Sequence, residues 1–374
     1  MNKVIFDPII TGHHLEFLWN LVKVQNKYDN QFKTYFITGF GFETKAKKEY
    51  GDFDMIGSNY EVIEISKKES KFIGNKNIHL RHFFHFFVML KYILKCKVKK
   101  VIVLDLNQVL KGLILILNLI NFEISGVLFN GNKFIELNGF RFKLFFKVFS
   151  NRNIRKVFVL NGESLVNELN AKFKINKFRS LPDPLPEIDL NEFTCYTNNK
   201  IILLYVGSVT KRKGIDLILE SLKKINFHTS KLYELRIFGR VEDNIKSYVK
   251  DSINEISNKN DLNIVYEPSF VSHFTFISQI INCDYVLALY KDTEISSGIL
   301  GYSILFNKLL IGSNSGFIGS KYLKEWNGYS ITPDGDELIK LLNQPLKKTK
   351  SSLNLNLNYM KKHSYARFSR ILDE

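Results

Sequence analysis

Four short stretches of this chain combine residue types that can hold or move charge. In YVGSVTKRKGIDLILESL, 205–222, an apolar run closes on Gly207 and Ser208. Lys211, Arg212 and Lys213 follow, and Gly214 opens an amphipathic stretch. The free N–H groups of a helix start carry partial positive charge, and with adjoining cations they form an anion site. In TEISSG, 293–298, a lone carboxylate, Glu294, precedes Ser296, Ser297 and Gly298 where another helix begins. Serine is a good N-cap, so capping accounts for one such site. Two in the same half of the chain, each after an apolar run, point to one diphosphate ligand. Glu294 adds something a phosphate does not need, because a carboxylate accepts hydrogen bonds from sugar hydroxyls. In ITGHHLEFLWNL, 10–21, Gly12 ends a strand turn, and His13 and His14 sit at a helix start, where an imidazole can donate to a phosphate or meet an acceptor hydroxyl. In VLDLNQ, 103–108, Asp105 and Asn107 end a strand and either bind hydroxyls or cap the next helix.

These residues need strands and helices to place them. The first half reads as strands at 3–8, 34–40, 62–66, 101–107 and 156–161, with helical spacing at 14–25, 82–96 and 162–173. LPDPLPEIDLNEF, 181–193, breaks the pattern with three prolines in five residues, as a hinge does. A second alternation runs from 201, with strands at 201–208, 234–239, 263–268, 285–290 and 309–313, and helices at 214–225, 243–257, 274–283 and 336–344. Alternating strands and helices imply βα units on mostly parallel sheets, where ligands bind beyond the carboxyl ends of the strands. The expected organisation is an α/β domain at 1–183, a linker at 184–199, a second α/β domain at 200–345, and a tail at 346–374 whose final helix packs back on the first domain.

Composition narrows the partners. Of 374 residues, 45% are hydrophobic and 24% charged, a globular balance, and the formal charge of +16 favours polyanions. Charge alone supports nucleic acid, with no recognition motif beside it. Cys96, Cys195 and Cys283 form no CxxC pair, which argues against a disulfide framework or a zinc site and fits a reducing, cytoplasmic compartment. MNKVIFDPII reads as a first strand, not a signal peptide. The longest apolar segment, GLILILNLI at 112–120, is too short for a membrane span and reads as a buried helix. From Arg81 to Lys100 there are six Lys/Arg and no acids, with Phe83, Phe84, Phe86 and Phe87 among them, and 141–156 has the same character. Such helices either rest on anionic lipid or bury their aromatics and solvate their lysines. GDFDM, 51–55, contains a DxD, which is read as a surface loop.

The spacing in the second half resembles that of retaining GT-B glycosyltransferases of the family-4 type. In that family a strand, a glycine, a basic loop and Lys-Gly are matched here by Gly207, Lys213 and Gly214. The first of two glutamates eight positions apart is matched by Glu294, and the strand and small-residue loop after them by LLIGSNSG. LPDPL is similar to the interdomain linker and GHH to the N-terminal glycine loop. The resemblance implies two Rossmann-like α/β domains facing a central cleft, the C-terminal one binding a nucleotide-diphosphate sugar as co-substrate, with no other cofactor and no metal. It implies transfer of a hexose, with retention, to a hydroxyl of a glycan or lipid-linked acceptor in surface polysaccharide assembly, at the inner face of the cell membrane. Lys213, Glu294 and His13 would be catalytic. Gly12, Gly207, Ser208, Arg212, Lys213, Glu294, Ser296, Ser297, Gly298 and Tyr302 would bind donor, and His14, Asp105 and Asn107 acceptor. The chain departs from the pattern twice. Tyr302 replaces the second glutamate, which costs a charged hydrogen bond of roughly 1.5–3 kcal/mol, or about ten- to a hundred-fold in donor affinity. Ser208 replaces an arginine, and Arg212 can supply the missing cation. A degenerate GT-B binder and a GT-B sugar-nucleotide epimerase are the alternatives.

Overall fold

Runs of consecutive apolar residues mark strands buried on both faces, and successive side chains on such strands point to opposite sides. The computed structural model describes residues 1–27, 32–52, 54–74, 77–116, 121–129, 131–160, 162–291, 297–316, 318–319, 328–349 and 354–374. These divide into two compact units, residues 1–186 with 362–374 and residues 187–361.

The first unit holds a seven-stranded parallel sheet ordered β3-β2-β1-β4-β5-β6-β7. Its strands are β1 (Lys3–Asp7), β2 (Thr34–Thr38), β3 (Tyr60–Glu64), β4 (Lys100–Val103), β5 (Glu123–Val127), β6 (Ile154–Leu160) and β7 (Phe178–Leu181). Val4, Phe6, Val101 and Val103 enter one core, with residues of the helices Ile78–Cys96, Leu110–Ile116 and Gly139–Ser150. Ile5, Ile102 and Leu104 enter the core on the other face, against the helices His13–Lys27 and Tyr365–Asp373. That last helix closes the first unit. Leu185 N–H donates to the His363 carbonyl at 2.7 Å, Phe17 meets Phe368 at 5.5 Å between ring centroids, and Lys3 pairs with Asp373.

The second unit holds a six-stranded parallel sheet ordered β10-β9-β8-β11-β12-β13. Its strands are β8 (Ile201–Val206), β9 (Tyr233–Phe238), β10 (Asn263–Glu267), β11 (Tyr285–Ala288), β12 (Leu309–Ser313) and β13 (Gly328–Ile331). In each sheet the strand order reverses once beside its first strand, between β1 and β4 and between β8 and β11. Helices on either side of such a reversal diverge and leave a crevice at the carboxyl ends. The doubly wound α/β architecture expected from sequence is present in both units.

Three strands were not expected: β5, β7 and β13. The strand expected over 101–107 is shorter. It ends at Val103, because the Asp105 carboxylate accepts the Asn107 N–H at 3.2 Å and turns the chain into a 3₁₀ helix at Leu106–Gln108. The start of the apolar segment at 112–120 lies in the helix Leu110–Ile116, and 117–120 lie outside the described residues. Among the described residues no helix is long and apolar enough to cross a membrane. Asp52 and Asp54 of the DxD stretch are exposed.

Candidate functional site

The crevice in the first unit is built from the ends of β1 and β4. Asp7 closes β1 and is buried. Gly12, at φ +59°, turns the chain so that the helix His13–Lys27 starts back over the strand end. His14 lands on Asp7, with Nδ1 2.7 Å from a carboxylate oxygen. The Ile9 N–H donates to the other oxygen at 3.2 Å. Burial works against charge on His14, but Asp7 and then Asp105 overcome it and raise its pKa above the ordinary value. Asp105 is itself buried. Burial pushes its pKa up, with donated hydrogen bonds from Gln108 and Asn107 opposing and the Asp7 charge reinforcing. Asp7 and Asp105 thus both favour charge on the His14 ring, whose Nδ1 is committed to Asp7. His13 is exposed at the mouth of the crevice, yet Phe129 lies 4.8 Å and His14 4.2 Å from its ring. Desolvation beside these rings and then His14 hold His13 below the usual histidine range, the opposite direction to its neighbour.

Asp105 and Asn107 do not end a strand. Asn107 gives both its backbone N–H and its amide (3.1 Å) to Asp105, which realises the capping alternative. The acid that sequence reasoning passed over is Asp7. A carboxylate closing an apolar run, KVIFD, was the available signal, because a buried acid needs a partner.

The crevice in the second unit depends on glycines. Gly207 ends β8 at φ +109°, and a Cβ there would lie 3.2 Å from the Lys213 Nζ. Gly214, at φ +76°, comes so close to β11 that a Cβ would lie 2.0 Å from the Leu289 carbonyl oxygen. Thr210 caps the intervening 3₁₀ turn by accepting the Lys213 N–H at 3.2 Å. The turn thus folds the Lys213 ammonium back over the end of β8, where it sits 5.6 Å above the Tyr290 ring. Among the described residues Lys213 and Arg212 have no acidic partner within ion-pair distance. Arg212 and Ser208 are exposed, and their carbonyls accept the Lys291 N–H at 2.9 Å and the Tyr205 hydroxyl at 3.1 Å.

Tyr290 is the residue that joins this site together. Its hydroxyl lies 3.1 Å from the Ser297 Oγ. Ser297 occupies the N-cap position of the helix Gly298–Leu305, but its hydroxyl makes no cap hydrogen bond. Gly298 opens that helix with nothing within 4 Å of a Cβ added to it. A helix start with an unused cap, an open first residue and a cation on the neighbouring strand end can receive an anion. Glu294 and Ser296 lie outside the described residues. Tyr302 is 5% exposed, its ring packed against Phe276 at 5.1 Å and His273 at 6.0 Å. Among the described residues no group of three His, Cys, Asp or Glu side chains is arranged to hold a metal.

No protein-family model matches this chain, and no curated protein matches it in sequence. Solved structures match it along nearly its full length. It is similar to the N-terminal domain of Candida albicans trehalose-6-phosphate phosphatase, with a TM-score of 0.68 and 13% identity over 99% of this chain and 95% of that one. It is similar to Anabaena HepE in complex with UDP-glucose, with a TM-score of 0.65 and 12% identity over 100% of this chain and 98% of that one. It is similar to WaaG, a glycosyltransferase involved in lipopolysaccharide biosynthesis, with a TM-score of 0.59 and 13% identity over 99% of this chain and 94% of that one.

The fold is GT-B.

Within this GT-B chain, each switch point carries its own set of polar groups. The first brings together Gly12, His13, His14 and Asp105, with Asp7 added. The second brings together Gly207, Lys213, Ser297 and Gly298, with Tyr290 added. Tyr302 lies in the helix packing behind the second. A fold shared with the N-terminal domain of a phosphatase and with a glycosyltransferase does not choose an activity, which depends on these groups.

Proposed function

We propose that the protein is a glycosyltransferase that moves a hexose from a nucleotide-diphosphate sugar to a hydroxyl of a glycan or lipid-linked acceptor. The observation that carries this reading is the placement of Lys213, Tyr290 and Ser297 around an open helix start at the switch point of the second unit. A leaving diphosphate gains negative charge as the glycosidic bond breaks. A cation with no acidic partner among the described residues, beside the N–H groups of a helix start, opposes that charge. HepE, of similar fold, binds UDP-glucose. Transfer with retention, and a role in surface polysaccharide assembly, extend the proposal on the strength of the motif resemblance.

In the first unit, His14 and Asp7 are suited to an acceptor. With Nδ1 committed to the carboxylate, the other ring nitrogen is the one that can meet a hydroxyl. Peripheral contact with an anionic membrane, at its cytoplasmic face, is supported by Leu80, Phe87 and Leu94. They lie seven apart along the acid-free helix Ile78–Cys96, with exposures of 47%, 53% and 67%. Phe86 of the same helix is buried, so its aromatics divide between core and surface.

Initial rates with labelled UDP-glucose and other nucleotide sugars, together with their effect on the unfolding temperature, test the reading. A ligand that binds only the folded state raises that temperature. Stabilisation by a nucleotide sugar with turnover supports transfer. Stabilisation without turnover, even with acceptor present, leaves a degenerate binder, the alternative that the buried Tyr302 favours.

A further inference from the structure

The first unit holds a second polar cluster that these roles do not use. His79, Arg81, His82 and His85 come from the start of the helix Ile78–Cys96, and Lys111 from the helix Leu110–Ile116. Gly112 brings the two helices together. A Cβ on it would lie 2.3 Å from the Phe86 Cβ, so only glycine allows the approach, and Lys111 is delivered beside the first turns of the longer helix. The Lys111 Nζ lies 3.2 Å from the His79 Nδ1.

What marks this cluster is what its members lack. The Arg81 Nε, His82 Nδ1 and His85 Nδ1 are buried without a hydrogen-bond partner. His82 is 9% exposed and His85 2%. A buried polar group left unpaired costs about 1–3 kcal/mol, and native chains hold few of them. The Arg81 Nε–H is always a donor, and the His82 Nδ1 becomes one when that ring is protonated. These two call for an acceptor that the described residues do not supply, while the His85 ring is hydrogen-bonded to the Ile73 backbone. The helix Ile78–Cys96 contains no Asp or Glu, and its Asn77 cap takes the His79 and Leu80 N–H groups. Burial, then the Lys111, Arg81 and His79 charges, push His82 down to about 4. Burial and Arg81 push Lys111 down as well. The groups acting on His82 are all basic, and among the described residues neither Arg81 nor Lys111 is paired with an acid.

We infer that Arg81, His82, Lys111 and His79 form a binding site for a phosphate group. Its use for a phosphate carried by the acceptor rests on the glycosyltransferase reading; the site itself does not. A phosphate has the several acceptor oxygens that these donors need, and its charge draws a proton onto His82 as it binds.

The test uses the full chain carrying Lys213→Ala, so that phosphate bound at the second unit does not obscure the result. Inorganic phosphate is titrated in and followed by histidine NMR and calorimetry. The expected result is a shifted His82 resonance, proton uptake on binding, and affinity weakened about tenfold or more by R81Q with K111Q. H82Q is the second variant should that pair fail to fold, and K91Q, further along the same helix, is the neutral control. Unchanged affinity in both R81Q/K111Q and H82Q overturns the site. Phosphatidylcholine vesicles with and without phosphatidic acid separate the sources. Dependence of vesicle binding on Arg81 and Lys111 assigns the phosphate to a lipid, whereas dependence of inorganic phosphate binding alone assigns it to a soluble ligand. UDP-induced stabilisation, measured with Lys213 intact, should survive R81Q/K111Q. Its absence in the unmodified chain counts against the transferase reading and leaves the phosphate site standing.

Discussion

Replacing Lys213 by alanine separates the fold from the chemistry, because the two depend on that side chain to different degrees. In the resting protein the ammonium makes a contact 5.6 Å above the Tyr290 ring and has no acidic partner among the described residues. Its removal costs the fold a cation–π interaction of about 0.5–1 kcal/mol at a partly exposed site. In a domain of this size that lowers the melting temperature by a few degrees. The transition state loses more. A group aimed at developing charge contributes about 2.7–4 kcal/mol, so K213A should transfer sugar about 10²–10³ times more slowly. The assay pairs initial rates on a labelled nucleotide sugar with a urea unfolding curve of the same preparation. Transfer at the unmodified rate would refute the assignment of Lys213 to the diphosphate. Loss of activity that only tracks loss of folded protein would refute the argument that its role is electrostatic.

Gly239→Ala should destabilise the second unit by more than about 2 kcal/mol in urea unfolding, because φ there is +144° and the new Cβ would lie 1.8 Å from the Gly207 carbonyl oxygen. Gly298→Ala, with open space around it, should be neutral or stabilising by up to about 1 kcal/mol while weakening donor binding. Since the folded pKa of His14 is raised, its contribution to stability is complete below about pH 6.5 and fades as pH climbs through the raised value. H14Q should therefore flatten the unfolding free energy over that interval, and an unchanged slope would dismiss the Asp7 pairing. Phe87→Glu with Leu94→Glu should leave stability within about 0.5 kcal/mol and abolish cosedimentation with phosphatidylglycerol vesicles; retained cosedimentation would show that this stripe is not a membrane contact.

Some strands that sequence reasoning found are uninterrupted apolar runs, such as VIVL and IILLYV, and others, such as YELRIF, keep apolar residues on either side of a charge. Those it missed are written differently. β5 reads EISGV, with Gly126 required because a Cβ would lie 2.7 Å from the Val103 carbonyl oxygen. β7 and β13 lie at sheet edges, and FRSL and GYSI bury fewer residues. In the candidate site, Gly207, Lys213 and Gly214 were legible because glycine and a basic turn have a local logic. Tyr290 was not. It belongs to an apolar run, and its role depends on Lys213 and Ser297, which reach it from different elements. Ser297 shows the same limit: its type suits a helix cap, but its hydroxyl turns to Tyr290 instead.

The return of residues 362–374 to the first unit also sets an order of assembly. The helix Tyr365–Asp373, which covers Phe17, is synthesised after the whole of the second unit. During translation the second unit can finish its sheet while the first still exposes the apolar face of the helix His13–Lys27. Domains usually fold as units from the N-terminus onward. Here the earlier unit completes later, and in the interval it presents to chaperones the surface that the returning helix will cover.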